Sequence, residues 1–105
     1  MVYAVASIIL ETDKAQQFSD IMEREYLPAA EKHGVKMVAC LKTALGGNVD
    51  EVTDIWAFQS LEHLEKVRAS QFKDVKYMDA RKKLRDLMKE ETIKIMVPLP
   101  VSPLK

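Results

Sequence analysis

Residues 2–10 read Val-Tyr-Ala-Val-Ala-Ser-Ile-Ile-Leu. Successive side chains of an extended strand point to opposite faces. Val2, Ala4, Ala6, Ile8 and Leu10 therefore share one side, and Tyr3, Val5, Ser7 and Ile9 share the other. Both sides are largely apolar, which predicts a central strand covered on two faces. The run has no basic start and no cleavage pattern, so it reads as a strand rather than a signal peptide.

Two further stretches alternate in the same way. In residues 51–58, Val52, Asp54, Trp56 and Phe58 share one face, and Thr53, Ile55 and Ala57 the other. In residues 35–45, Val35, Met37, Ala39 and Leu41 oppose Lys36, Val38, Cys40 and Lys42. Gly46, Gly47 and Asn48 supply a permissive turn, and the two runs predict an antiparallel hairpin. Residues 92–97, with Ile93, Ile95 and Val97 on one side, form the last strand. Pro98, Pro100 and Pro103 then end regular structure in an extended tail.

Between the strands the period changes to that of a helix. Phe18, Ile21, Met22, Glu25 and Ala29 recur at helical spacing, with Thr12 placed to cap and Asp13 in the first turn. Pro28 cannot donate an amide to the carbonyl of Arg24, so the helix bends or restarts there, and Gly34 stops it. Ser60 caps a helix carrying Leu61, Leu64, Val67 and Arg68. The pattern weakens over Ser70–Asp74 and resumes over residues 75–89 with Tyr77 or Met78, Arg81, Leu84, Leu87 and Met88. The order is β-α-β-β-α-β with the second helical region split in two, an α+β ferredoxin-like pattern. Helices cover one sheet face. The other face would carry Trp56 or Ile55, and burying such a side chain gains about 1.5–3 kcal/mol. The cheapest cover is a second copy, which predicts a homodimeric α/β barrel with strands 1 and 3 central and strands 2 and 4 at the edges.

Composition narrows the function classes. The chain has 105 residues and is read as one domain, residues 1–105. Its 48% apolar content excludes a disordered chain. Its 16 basic and 16 acidic side chains cancel, which leaves little field for gripping nucleic acid. Residues 73–89 hold seven Lys or Arg, but interleaved Asp residues and the lack of an aromatic platform make this a solvated helix face. No stretch approaches the roughly 20 apolar residues of a membrane span. The lone Cys40 is expected as a buried strand thiol, and cytoplasm is the expected compartment.

Three stretches resemble the NIPSNAP family, a branch of the dimeric α/β-barrel superfamily. They are Tyr26-Leu27-Pro28-Ala29-Ala30-Glu31-Lys32-His33-Gly34, Asp54-Ile55-Trp56-Ala57-Phe58-Gln59-Ser60-Leu61 and Pro98-Leu99-Pro100-Val101-Ser102-Pro103-Leu104. In order and spacing they bracket about residues 3–104. The chain departs from the family in its first strand, where Ala4, Val5 and Ala6 stand in place of the usual Glu and Arg, and Thr12-Asp13-Lys14 lacks the usual Gly. The resemblance implies a small cytosolic dimer without a defined activity. More distant superfamily members are cofactor-free or haem-using monooxygenases, isomerases and decyclases acting on hydrophobic or aromatic compounds. Fold likeness alone does not transfer those activities.

Candidate chemistry is sparse. His33, at a helix end, is either a cap or a pocket acid/base. Asp54 is the one carboxylate within an otherwise apolar strand face and needs a partner, solvent or a role as a base. Trp56 and Phe58, with Tyr3 and Tyr26, are either packing residues or the walls of a ligand pocket. His63 is read as part of a cap. His33, His63 and Cys40 lack local metal-ligand spacing, so no metal and no cofactor are expected. Gly46-Gly47 joins strands and cradles no phosphate. The expected function is binding of a small hydrophobic ligand by a homodimer, without nucleic acid or membrane insertion. The alternative is a cofactor-free monooxygenase-like or isomerase-like enzyme using His33 and Asp54.

Overall fold

A computed structural model describes residues 1–105. The elements run β1 (Val2–Leu10), α1 (Ala15–Ile21), a π-helical turn (Met22–Tyr26), α2 (Leu27–Glu31), β2 (Lys36–Lys42), β3 (Glu51–Phe58), α3 (Leu61–Gln71), α4 (Val75–Arg85) and β4 (Met88–Met96). The strands form one antiparallel sheet in the order β2-β3-β1-β4. This is the ferredoxin-like α+β fold, with β1 and β3 central as the two-sided apolar pattern requires.

Register decides which face each side chain takes. Val2 pairs with Phe58, Ala4 with Trp56, Ala6 with Asp54 and Ile8 with Val52. All eight are buried, because this is the face the helices cover. Phe18, Met22, Leu64, Val67, Tyr77 and Leu84 close the core from the helical side. Tyr3, Val5, Ser7 and Ile9 pair with Ala57, Ile55, Thr53 and Glu51 on the opposite face. There the Ser7 hydroxyl donates to the Glu51 carboxylate. Of Trp56 and Ile55, it is Ile55 that stands on the uncovered side.

Several local expectations change. Thr12 does not cap α1. Asp13 adopts φ 63°, and the helix starts from Lys14 with no side-chain cap. The left-handed residue, tolerated by Asp, turns the chain away from β1 and takes Thr12 out of capping position. The restart at Pro28 is realised as the π turn: the Leu27 N–H donates to the Met22 carbonyl, five residues back. Pro28 then sits in the first turn of α2, where a missing N–H is harmless.

Strand β2 is shorter than residues 35–45 and carries a bulge. Met37 pairs with Trp56 but Ala39 pairs with Ile55, so Val38 is the extra residue. Met37 and Ala39 therefore face opposite sides, against the simple alternation. Because β2 is an edge strand, Cys40 is exposed rather than buried. Helix α4 ends at Arg85, not 89, with Asp86 as its cap residue. The Leu87 N–H donates to Leu84, and the Leu87 carbonyl accepts from Glu11. That tie to the end of β1 converts Met88 from helix to strand, where it pairs with Leu10.

Phe18 carries the contact between α1 and the sheet and is 2% exposed. Phe18→Ala is expected to lower unfolding free energy by about 3–5 kcal/mol in urea denaturation. A loss under about 1 kcal/mol would mean that α1 does not pack as described.

Candidate functional site

Ala4 and Ala6 are the small side chains on the covered face of β1, between Val2 and Ile8. Helices spaced by Tyr26, Tyr77 and Leu84 cannot settle into the gap. A cavity of about 140 Å³ remains over these alanines, floored by Asp54, Trp56 and Phe58. Ala30, the end of α3 and one face of α4 roof it, and Glu91 and Ile93 of β4 form its side.

The π turn brings Tyr26 to this cavity. Its hydroxyl lies 2.8 Å from that of Tyr77, and the rings are 5.2 Å apart. Trp56 meets Tyr26 edge-on at 5.7 Å. Burial, reinforced by Tyr77, pushes the Tyr26 phenol well above its ordinary range. It therefore stays protonated and can act only as a neutral hydrogen-bonding group. Such wide turns recur at functional sites because they re-aim one side chain without ending a helix.

Asp54 is the chemical anomaly. It is 4% exposed, and its Oδ1 is buried with no hydrogen-bond partner. Burial raises its pKa to about 6, opposed by the Trp56 side chain and reinforced by the Glu91 charge. An unpartnered carboxyl oxygen in an apolar floor is costly, and neutralisation by a proton is the usual relief. Arg81 of α4 also lines the cavity, but its ion-pair partner is Glu91, at 4.0 Å. The cavity therefore offers an acceptor that can also titrate near neutrality.

His33 is placed elsewhere. One ring nitrogen, Nδ1, lies 2.7 Å from Ser70 Oγ, and Nε2 lies 2.8 Å from Asp74 Oδ2. Lys32 Nζ reaches the same oxygen at 3.0 Å. Asp74 Oδ1 accepts from the N–H groups of Lys76 and Tyr77, capping α4. The His33 and Lys32 hydrogen bonds hold the Asp74 carboxyl far below the usual range. The connectivity is that of a Ser-His-Asp triad, but no oxyanion site accompanies it. The N–H groups of Phe72, Lys73 and Asp74 already donate to Arg68, Ser70 and Gln71. Ser70 also lies in the last turn of α3, whose partial negative charge opposes an oxyanion. The arrangement fastens the end of α2 to the α3–α4 junction.

Of the residues singled out from sequence, Asp54, Tyr26, Trp56 and Phe58 meet at the cavity. Tyr3 belongs to the opposite face of β1, and His33 is not among the cavity's lining residues. His63 completes the α3 cap: Ser60 Oγ accepts its N–H, and its Nδ1 accepts from Gln59. Sequence reading missed Tyr77, Arg68, Arg81, Gln71 and Glu91 as lining groups. The signal was present in part, since Arg68 and Arg81 occupy core-facing helical positions next to Leu64, Val67 and Leu84. No group of three or more His, Cys, Asp and Glu side chains is placed to hold a metal ion. No helix is long and apolar enough to cross a membrane.

The NIPSNAP family model matches residues 3–103. A NIPSNAP-family protein of unknown function from Agrobacterium tumefaciens is 28% identical, with a TM-score of 0.91 over 100% of this chain and 94% of that one. A NIPSNAP-domain protein from Burkholderia xenovorans, 16% identical, superposes with a TM-score of 0.89 over 98% and 99% of the two chains. A candidate antibiotic biosynthesis monooxygenase from Nitrosomonas europaea shares the fold at a TM-score of 0.71 and 16% identity, over 94% and 99%. No curated protein matches the sequence.

The raised Asp54 pKa has a defined consequence for stability. The native state keeps this proton after the unfolded chain has lost it, so stability falls as pH rises from about 4 to about 6. The deficit persists above that window. Asp54→Asn is expected to remove this fall and to stabilise the protein by about 2–3 kcal/mol at about pH 7.5 relative to its effect near pH 4. Urea unfolding at both pH values checks it; equal effects at both would place Asp54 in a water-like environment.

Proposed function

The chain belongs to the NIPSNAP family, and within it we propose that this member binds a small, ring-sized apolar ligand whose hydrogen-bond donor is received by Asp54. The observation that carries this reading is the buried Asp54 Oδ1 without a partner, in a cavity lined mainly by apolar and aromatic side chains. A ligand donor would satisfy that oxygen, and the Trp56, Phe58 and Tyr26 rings would hold the apolar body. The 140 Å³ volume is close to that of an engineered cavity of about 150 Å³ that accepts benzene.

A second reading is catalytic. A carboxyl group with a pKa of about 6 is suited to proton transfer near neutrality, and two phenols lie beside it. Removal of a proton from an activated ligand is the step that an isomerase-like or a cofactor-free monooxygenase-like reaction would need first. The fold shared with the Nitrosomonas protein is compatible with this reading and does not supply the chemistry.

A homodimer is part of the proposal. The uncovered face is apolar at its centre, with Val5, Ile9, Ile55 and Ala57, and mostly polar on β4, with Glu90, Thr92 and Lys94 beside Met96. That is the distribution of an interface core and rim. Sedimentation equilibrium is expected to give a particle of two 12.0 kDa chains, and Val5→Asp is expected to dissociate it. A single-chain particle at high concentration would refute the dimer.

Ligand binding is tested with phenol and anisole, the same ring with and without a donor. Trp56 is the only tryptophan, so its indole N–H gives one resonance in a nitrogen-15 spectrum. Phenol is expected to shift it saturably and to bind about tenfold more tightly than anisole, the effect of one hydrogen bond to a charged or buried acceptor. Asp54→Ala is expected to erase the preference. An indole signal that ignores both compounds would remove the reading.

A further inference from the structure

One cation at the cavity has no counterpart. Arg68, in the last turn of α3, lines the cavity, and its guanidinium makes neither an ion pair nor a hydrogen bond. The other basic side chains nearby are paired. Arg81 faces Glu91, and on the outer side of α3 Lys66 pairs with Glu62. Arg68 is also out of place for a surface residue. It follows Val67 and stands four residues after Leu64, both core side chains at 2% and 5% exposure, and precedes the buried Gln71 by three.

From this geometry we infer that the ligand is an aromatic monocarboxylic acid, with its carboxylate on Arg68 and a hydroxyl directed to Asp54. The inference rests on the ring-binding reading of the same cavity and adds the charge and class of the ligand. A planar guanidinium presents paired N–H donors that match the two oxygens of a carboxylate. Arg68 is the one basic side chain of the lining outside an ion pair, so it can match one carboxylate, and a second would face Asp54 and Glu91 without compensation. Size limits the ligand to about one ring, since the volume is near that of a benzene-binding cavity. Between the two polar ends, Trp56, Phe58 and Ile93 supply apolar surface for the ring.

The test uses the full chain and the Trp56 indole resonance. Phenol, benzoate, 3-hydroxybenzoate and 4-hydroxybenzoate are titrated against the wild type and Arg68→Gln at neutral pH. One of the hydroxybenzoates is expected to bind at least tenfold more tightly than phenol, as one charge-assisted pair would provide. In Arg68→Gln that ratio is expected to fall to near one. Saturable phenol binding by the variant shows that it is folded. An advantage of hydroxybenzoate that survives in Arg68→Gln overturns the assignment to Arg68. Phenol bound in an Asp54-dependent way, with no hydroxybenzoate bound more tightly, overturns the acid class and leaves the cavity reading standing. Failure of all four compounds to move the indole overturns both.

Discussion

The pairing of β1 with β3 is the constraint on which the rest of the molecule depends. It sets Ala4 opposite Trp56 and Ala6 opposite Asp54 on the one sheet face that helices cover. Two alanines cannot fill the space that the large neighbours and the aromatic side chains of the helices hold open. Packing in protein interiors is normally close to that of organic crystals, so such a gap is a departure from the rule. A slip of one residue in this register would exchange the two faces, putting Asp54 and Trp56 on the uncovered side and abolishing the cavity. The fold and the candidate site are thus two consequences of one strand pairing.

The site also breaks a second rule, since Asp54 is buried without a full set of hydrogen bonds. Several of its neighbours are paired: the tyrosines bond to each other, and Arg81 faces Glu91. The unsatisfied oxygen is confined to the cavity floor. Local inconsistencies of this kind concentrate at functional positions, because the surrounding structure must over-determine them. Here the over-determination comes from a central strand bonded on both sides and from a core that includes the fully covered Ile8, Leu10 and Phe18.

The helical layer is held over this floor by two polar devices. Pro28 makes a regular helix impossible at Arg24, and the π turn that results carries Tyr26 inward. The His33–Asp74–Ser70 cluster then fastens the end of α2 to the start of α4, with Asp74 capping the helix and holding the imidazole at once. Each element bordering the cavity is fixed by a contact outside it. The roof is therefore held at its height by contacts outside the cavity.

Strand alternation in residues 2–10 and 51–58, the capping serine at Ser60 and the proline at 28 were legible from the sequence, because each is a local preference with a short period. They determined the order of elements, the central strands and the split second helix. Asp54, Tyr26, Trp56 and Phe58 were legible as candidates because a carboxylate and large rings stand out against apolar strands. Tertiary structure alone decided which face Asp54 and Trp56 occupy, since a strand buried on both sides has no polar face to orient it. It alone put the bulge at Val38, ended α4 at Arg85, and separated His33 and Tyr3 from the cavity. It alone gathered Arg68, Tyr77 and Glu91 around Asp54, because those contacts join residues far apart in the chain, and a distance through space leaves no period in a sequence.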